Sequence, residues 1–491
     1  MSRDRGAMAL VLHSHMPYVE GFGTWPFGEE WLWEAVATVY LPLLDLLEGS
    51  AAPVTVGVTP VLCDQLETLP GEPGERLLAF LSQTRRAVHE EDSRGLDDTG
   101  QPELAAEVRR AALDYSRAEE ALRDGGRHPL KRLAALGERP NVELMTSSAT
   151  HALLPLLASD AGLRLQLASG VASHERRFGS WPGGLWLPEC AYAPGLEREL
   201  AGHGVRRFCV DQTGVYGQGA PEHLEPVACD AEVVAVPIDW QTVQLVWSGT
   251  EGYPVHPVYR DYHRRTVHDL RPWSNGGEPY RPEQAAALAR EHAREFVARC
   301  IERLDRHHAD RDQAGLLTFA LDTELLGHWW YEGQTWLEAV FDEAPSQGLD
   351  LVTLEEGVDR VPAVERELRP SSWGDGKDFS TWDRPGVAEI AFAARRAELR
   401  TVAAAARAGP VAGGRRAALE RAARELLALQ SSDWAFQVTK DLAADYPQRR
   451  MAAHGAAHDA ALSGLGDSAA VPEPALRNLA PDLDLAPLLA P

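Results

Sequence analysis

Short apolar runs recur along the chain, and each leads into a polar or charged residue. They are MALVL before His13, VTVGV before Thr59, VELM before Thr146, LWL before Glu189, FCV before Asp211, VVAV before Asp239 and LLTFAL before Asp322. Runs this short, bounded by polar residues, predict buried β-strands. The stretches between them carry helical spacing, as in EEWLWEAVATVYLPLLDLLE and GLEREL. Strand and helix in alternation predict an α/β chain, and about seven strands can be counted. Polar groups gathered at the C-terminal ends of strands mark the active face of a barrel. Residues 72–135 are rich in Ala, Arg and Glu and predict inserted helices that flank or cover that barrel. From 386 to 466 the pattern is helical throughout, with turn residues at GPVAGG, and predicts a C-terminal helical domain after a catalytic region spanning 1–385. The last stretch, 467–491, repeats Pro, Ala and Leu without helix caps and reads as a tail of uncertain order. There is no internal repeat.

Composition narrows the function. The 491 residues are 44% hydrophobic, enough for a large core plus a smaller unit. A net charge of −25 repels phosphate backbones and anionic lipid, so the expectation is a neutral substrate, with no nucleic acid and no membrane. The apolar run before His13 is too short for a signal-peptide core or a membrane span, which places the protein in the cytoplasm. Five scattered cysteines (Cys63, Cys190, Cys209, Cys229, Cys300) lack paired spacing, so buried reduced thiols are expected rather than disulfides or a zinc knuckle.

Three clusters carry candidate chemistry. In LHSHMPY, His13 and His15 stand two apart at a strand end and so share one side of it. Three readings stay open for such a pair: metal ligands, hydrogen-bond donors to sugar hydroxyls, or structural histidines. The other strand ends offer Glu189, Asp211, Asp239 and Asp322 but no histidine directly after an apolar run, which weighs against metal. In GGLWLPECAY, Glu189 follows a short buried strand and has Trp186 and Tyr192 beside it. In LLTFALDTELLGHWWYEG, the apolar run meets Asp322, then Glu324, His328, Trp329, Trp330 and Tyr331. Glycoside chemistry needs two carboxyl groups across the scissile bond, and Glu189 with Asp322 would supply them from different strands. Several of the fourteen tryptophans sit in polar loops such as SSWGDGKDFSTW and QSSDWAF. There an indole is better used as a platform for a sugar than as packing, which points to an extended carbohydrate groove.

With these residues in view, the chain resembles glycoside hydrolase family 57, and within it the α-1,4-glucan branching enzymes. The resemblance covers most of the chain and runs in the family's order through LHSHMPYV, GTWPFGEEWLWEA, VTPVLCDQL, TSSATHALLPLL, GLWLPECAY, FCVDQTG, VWSGTEGYP, LDTELLGHWWYEG, SSWGDGKDFSTW and QSSDW. It implies a (β/α)7 incomplete TIM-like barrel, Glu189 as nucleophile of a retaining mechanism, and Asp322 as general acid/base. It implies no metal and no organic cofactor, with His13 and His15 lining the subsite of the cleaved sugar. Trp31, Trp247, Trp373 and Trp382 are implied as donor and acceptor walls, and Asp433 and Trp434 as a C-terminal motif approaching the groove. Asp211 and His328 belong to the same implied substrate-binding set. The implied partner is an α-1,4-glucan, and the expected state is a monomer.

Two departures bear on the reaction. Thr213 stands in FCVDQTG where the family usually has histidine, and the following loop, VYGQGAPEHLEP, offers only Tyr216 for the tyrosine that closes over the reaction centre in relatives. In addition, Trp382 is followed by Asp383 and Arg384 where similar enzymes more often have asparagine. The alternatives are therefore a 4-α-glucanotransferase or α-amylase using the same carboxylates, and more distantly a metal-dependent barrel hydrolase using His13 and His15.

Overall fold

The structure is a computed structural model that describes residues 5–126, 128–408, 412–465 and 476–489. Ten strands are described: β1 (Gly6–Ser14), β2 (Val54–Val58), β3 (Val142–Ser147), β4 (Gly184–Trp186), β5 (Arg207–Val210), β6 (Val227–Ala228), β7 (Val234–Pro237), β8 (Gly315–Asp322), β9 (Leu351–Val352) and β10 (Val364–Glu365). Seven of them run parallel in the order β7, β5, β4, β3, β2, β1, β8. These are the seven apolar runs read from the sequence. Short β6 lies antiparallel to β7, while β9 and β10 add parallel pairs beside β1 and β6. Among the described residues no ladder joins β7 to β8; Asp239 N donates to Thr318 O at 2.9 Å across that seam. The barrel is thus incomplete, as expected.

Every residue of β1 is buried, and its two faces have different neighbours. Met8, Leu10 and Leu12 join Val54, Val56, Leu144 and Phe319 in a layer that packs on Phe296 and Trp336 of the surrounding helices. Ala7, Ala9 and Val11 instead meet Met145, Trp186, Cys209, Val236 and Ala320 inside the barrel. Alternation of side chains along a strand produces this split, and small residues fill the narrow interior. The same parity carries His13 and Asp322 onto the inner face at the C-terminal mouth, where they are paired in register between β1 and β8. At the other end Arg207 donates to Glu143 Oε1 at 2.7 Å, while Thr55 Oγ1 and Glu355 N donate to Glu143 Oε2 at 3.0 and 2.8 Å. That ion pair is buried with both carboxylate oxygens used, the condition under which a buried charge is tolerated.

Helices occupy Glu72–Ala79, Arg86–Asp98, Pro102–Ala121 and Pro129–Gly137 between β2 and β3. Helices Ala388–Ala408, Gly413–Leu429, Ser432–Lys440 and Tyr446–Gly464 follow the barrel. Of the GPVAGG connection, 409–411 lie outside the described residues. The C-terminal helices are tied to the segment after β3: Thr150 Oγ1 donates to Leu427 O at 2.6 Å, Gln166 Nε2 to Gln430 Oε1 at 3.0 Å, and Ser432 N to His151 O at 3.1 Å.

The C-terminal stretch differs from the tail of uncertain order. Residues 467–475 lie outside the described residues, but Leu476, Leu479, Leu485 and Leu488 are buried. Arg477 N and Asn478 N donate to Tyr18 OH at 2.9 and 3.2 Å, and Ala480 N donates to Asp64 Oδ2 at 2.7 Å. Leucine anchors and side chains from elsewhere satisfy this backbone, so it needs no helix caps of its own.

Candidate active site

Just past β4 the chain turns sharply, with Glu189 at φ 61° and Cys190 at φ 50°. Left-handed backbone at a non-glycine residue costs of order 1–3 kcal/mol and persists only when its surroundings fix it. Here Trp373 N donates to Glu189 O at 2.9 Å, and Tyr192 and Ser371 exchange backbone hydrogen bonds at 2.9 and 3.0 Å. The turn aims the Glu189 carboxyl into the mouth, where Trp373 Nε1 donates to Oε2 at 2.8 Å and Ser432 Oγ to Oε1 at 2.9 Å. Burial raises its pKa to about 7 despite those two donors.

Asp322, at the end of β8, is in a different environment. Burial first, then the negative charges of Glu324, Glu189 and Asp433, hold its carboxyl well above the usual carboxylate range. Glu324, two residues on, accepts from Tyr40 OH at 2.5 Å and from His15 N at 3.1 Å, and burial raises it to about 7. A carboxyl without a donor, ringed by negative charge, keeps its proton, whereas one with two donors gives it up more readily. Glu189 and Asp322 thereby sit in opposed environments, donors favouring the charge on Glu189 and negative neighbours favouring the proton on Asp322.

Three histidine rings are stacked at the same mouth. His15 lies 4.0 Å and His13 5.0 Å from the His151 ring, and His13 packs at 4.5 Å on Trp186. His15 Nε2 meets Asp433 Oδ2 at 3.0 Å, and its Nδ1 meets Thr59 Oγ1 at 3.1 Å. Burial lowers the His15 pKa, but Asp433, Glu324 and Glu189 outweigh it and leave it raised. Burial likewise pushes Asp433 up, and His15 with Ser431 brings it down to about 2. An ion pair results. His13 Nε2 lies 3.0 Å from His151 Nε2, and His151 Nδ1 lies 2.9 Å from Ser432 Oγ. Burial pushes both His13 and His151 well down, so both are neutral.

Those contacts have one consistent direction. Ionised Glu189 can only accept, so the Ser432 hydroxyl donates to it and itself accepts from His151 Nδ1–H. Neutral His151 then has a bare Nε2, which accepts from His13 Nε2–H. His13 Nδ1 is left without a proton, and it is buried with no partner. The chain His13, His151, Ser432, Glu189 thus points every donor at the Glu189 carboxylate. With these nitrogens engaged, His13 and His15 do not present a pair of free nitrogens to an ion. Among the described residues no group of three or more His, Cys, Asp or Glu side chains is arranged to hold a metal.

The remaining sequence-predicted residues are spread more widely. Asp211 is fully buried and receives Lys377 Nζ and Thr213 N, each at 2.8 Å, so it braces the segment that carries Trp373. His328 packs edge-on to Tyr262 and Trp329, and burial with nearby arginines holds it neutral, down to about 3. Trp31 is half-buried against Phe27 and Tyr446. Trp247 ends the helix Trp240–Trp247 and is largely exposed. Two expectations are corrected. Trp382 is buried among Leu153, Val387 and Ala435, and Trp434 is buried with its Nε1 donating to Ala428 O at 2.7 Å. Neither offers a ring face to a ligand; both fix the loops that present Trp373 and Asp433. Sequence reasoning missed His151 and Ser432 as site residues. Both lay inside quoted motifs, TSSATH and QSSDW, but nothing in the spacing says that the two segments meet.

A curled parallel sheet whose aromatic mouth holds two buried carboxyls, one with two donors and one beside negative charge, is the arrangement of a carbohydrate-active barrel enzyme. The chain belongs to glycosyl hydrolase family 57, whose model matches residues 9–368. A second model, the C-terminal region of 1,4-alpha-glucan branching enzyme, matches 393–485. The chain is 33% identical to the 1,4-alpha-glucan branching enzyme of Thermococcus kodakarensis, over 92% of this chain and 72% of that one. It is 34% identical to a probable 1,4-alpha-glucan branching enzyme of Mycobacterium tuberculosis, over 91% and 90% respectively. The crystal structure of a GH57-type branching enzyme from Pyrococcus horikoshii superposes with a TM-score of 0.90 at 30% identity, covering 99% of this chain and 97% of that one.

Proposed function

We propose that this chain is a retaining 1,4-α-glucan branching enzyme. In this reading Glu189 attacks the anomeric carbon and Asp322 protonates the departing chain. Asp322 then deprotonates a glucose O6, which takes the glycosyl group from Glu189 to form an α-1,6 branch. The observation that carries it is the split environment of the two carboxyls: Ser432 and Trp373 donate to Glu189, while Asp322 is ringed by negative charge. Pairs of carboxyls pushed apart in this way take the nucleophile and acid roles. The substrate is an α-1,4-glucan, a neutral polymer suited to a chain of net charge −25. Residues 1–385 supply the catalytic barrel, and 386–466 a helical domain that completes the mouth. A monomer is the state proposed. All five cysteines are free, consistent with the cytoplasm, and among the described residues no helix is long and apolar enough to cross a membrane.

One observation favours a larger hydrolytic share. Tyr216 packs edge-on to His223 at 5.8 Å and beneath Arg366 at 5.6 Å, so its ring is engaged by these two neighbours. Without a tyrosine closing over the site, water competes better for the intermediate. Proton NMR of amylose incubated with the pure protein separates the outcomes. Growth of α-1,6 signals well ahead of new reducing ends is expected. Reducing ends in excess would make the enzyme an amylase, and neither signal would end the reading.

A further inference from the structure

The two adjacent tryptophans after His328 have opposite fates. Trp330 is buried against Tyr259 and Trp336, as a core residue should be. Trp329 is 46% exposed, yet it is held in place. Its ring stacks on Tyr262 at 4.7 Å with planes 28° apart, and its edge meets His328 at 5.6 Å. The guanidinium of Arg271 lies 4.1 Å from the same Tyr262 ring, and that of Arg265 lies farther out at 5.3 Å. A parallel indole at 4.7 Å leaves no room on that face for a guanidinium, so Arg271 occupies the other. The result is a column of Arg271, Tyr262 and Trp329 whose exposed end is the indole.

The column is braced at two points. Trp329 N donates to the carbonyl of Glu324, whose carboxylate touches His15 N and Tyr40 OH beside Asp322. The loop that carries Tyr262 is fastened to the inserted helices through Asp92, which binds Thr266 Oγ1 and, at 2.6 Å, His268 Nδ1. A large indole face left in water gives up apolar burial, and a rigid one loses no further rotamer freedom when something covers it. Packing explains Trp330. It does not explain an aromatic stack whose outermost member faces solvent a few residues from the acid/base.

We propose that the outer face of Trp329, backed by Tyr262 and Arg271, is a stacking subsite for a pyranose ring of an α-glucan chain that leaves the catalytic mouth past His328. The apolar C–H face of the sugar matches the indole, and a neutral ring adds no charge to the site. The inference rests on the function proposed above for substrate class, but not on the reaction type.

The test compares the full-length parent with Trp329→Ala and Trp329→Phe. Steady-state kinetics are measured on amylose, and maltoheptaose binding is measured calorimetrically in a Glu189→Gln background. Loss of the platform should raise the amylose KM roughly tenfold, and weaken maltoheptaose to the same degree, while kcat changes far less. Trp329→Phe, which keeps a ring on Tyr262, should recover much of that loss. A KM within about twofold of the parent, or a fall in kcat and thermal midpoint with KM unchanged, overturns the proposal. The two readings fail separately. Branching by the parent with KM indifferent to Trp329 sinks the subsite alone. Trp329-dependent maltoheptaose binding by a parent that forms no α-1,6 linkages sinks the branching reaction alone.

Discussion

Replacing Ser432 by alanine tests the charge logic of the site at its centre. The hydroxyl donates to Glu189 Oε1 at 2.9 Å and accepts from His151 Nδ1 at 2.9 Å. A hydrogen bond to a buried charged group is worth about 2 kcal/mol, and losing it raises the pKa of the carboxyl by about 1.5 units. Glu189 starts at about 7, so the variant's nucleophile would titrate at about 8.5. Only the ionised carboxyl attacks. The loss in kcat/KM is therefore about 15-fold at pH 7, grows toward acid, and shrinks as pH approaches about 9.5. Asp322, whose pKa burial and the neighbouring negative charges hold well above the ordinary range, is the same group in parent and variant, so the ratio of their profiles reports Glu189. The assay is kcat/KM for amylose against pH, for the parent, Ser432→Ala and Ser432→Thr. Threonine keeps the hydroxyl and should restore the parent profile. A deficit equal at every pH would mean that Ser432 only orients Glu189, and no deficit at any pH would remove it from the site.

Two further outcomes follow from buried charges. Asp433→Asn breaks the pair with His15. The folded pKa of Asp433 is depressed from 3.8 to about 2, so it contributes about 2 kcal/mol that is fully present above about pH 4 and lost as pH falls through about 2. The raised His15 pKa has the opposite sign, so the contribution also fades when His15 gives up its proton on the alkaline side. Thermal midpoints of parent and variant should differ at pH 6 and converge at strongly acid pH; a constant gap would refute the pair. At the barrel floor, Arg207→Met leaves Glu143 buried and unpaired, which costs about 3–5 kcal/mol. Urea titration followed by near-ultraviolet circular dichroism should show the midpoint fall well below the parent's, and an unchanged midpoint would mean that the floor relaxes to admit water.

The parallel strands were legible because a strand buried on both faces must be apolar along its length, and the polar residue that ends each run is where the barrel opens. Parity placed His13 and His15 on one side of β1, but which side is the barrel interior is visible only from the packing of Ala7, Ala9 and Val11 there. Partners brought together by tertiary packing were not legible. His151 lies four residues past β3 in a left-handed conformation, and Ser432 lies 243 residues beyond Glu189 in sequence. Trp382 and Trp434 misled for the opposite reason. Polar flanking residues suggested exposure, but neighbouring helices cover both rings, and residues around them face the site instead. The C-terminal stretch was read as loose because its backbone lacks local caps, and Tyr18 and Asp64 supply those caps from the other end of the chain.

The asymmetry between the two carboxyls comes from outside the barrel. β4 and β8 each bring a carboxyl to the same mouth, and burial raises the pKa of both. What distinguishes Glu189 is a pair of donors, Trp373 from the loop before the C-terminal helices and Ser432 from within them. The same helical segment supplies Asp433, whose charge fixes His15 as a cation beside Glu189 and simultaneously raises Asp322. Within one docked segment Ser432 thus lowers the proton affinity of Glu189, while Asp433 raises that of both carboxyls and leaves Asp322 without an offsetting donor among the described residues. A barrel without it would hold two carboxyls that both favour the protonated form, and a protonated Glu189 cannot form a glycosyl-enzyme. The C-terminal helices are therefore part of the chemistry, and the choice between O6 and water falls to the surfaces that bind the acceptor once that chemistry is in place.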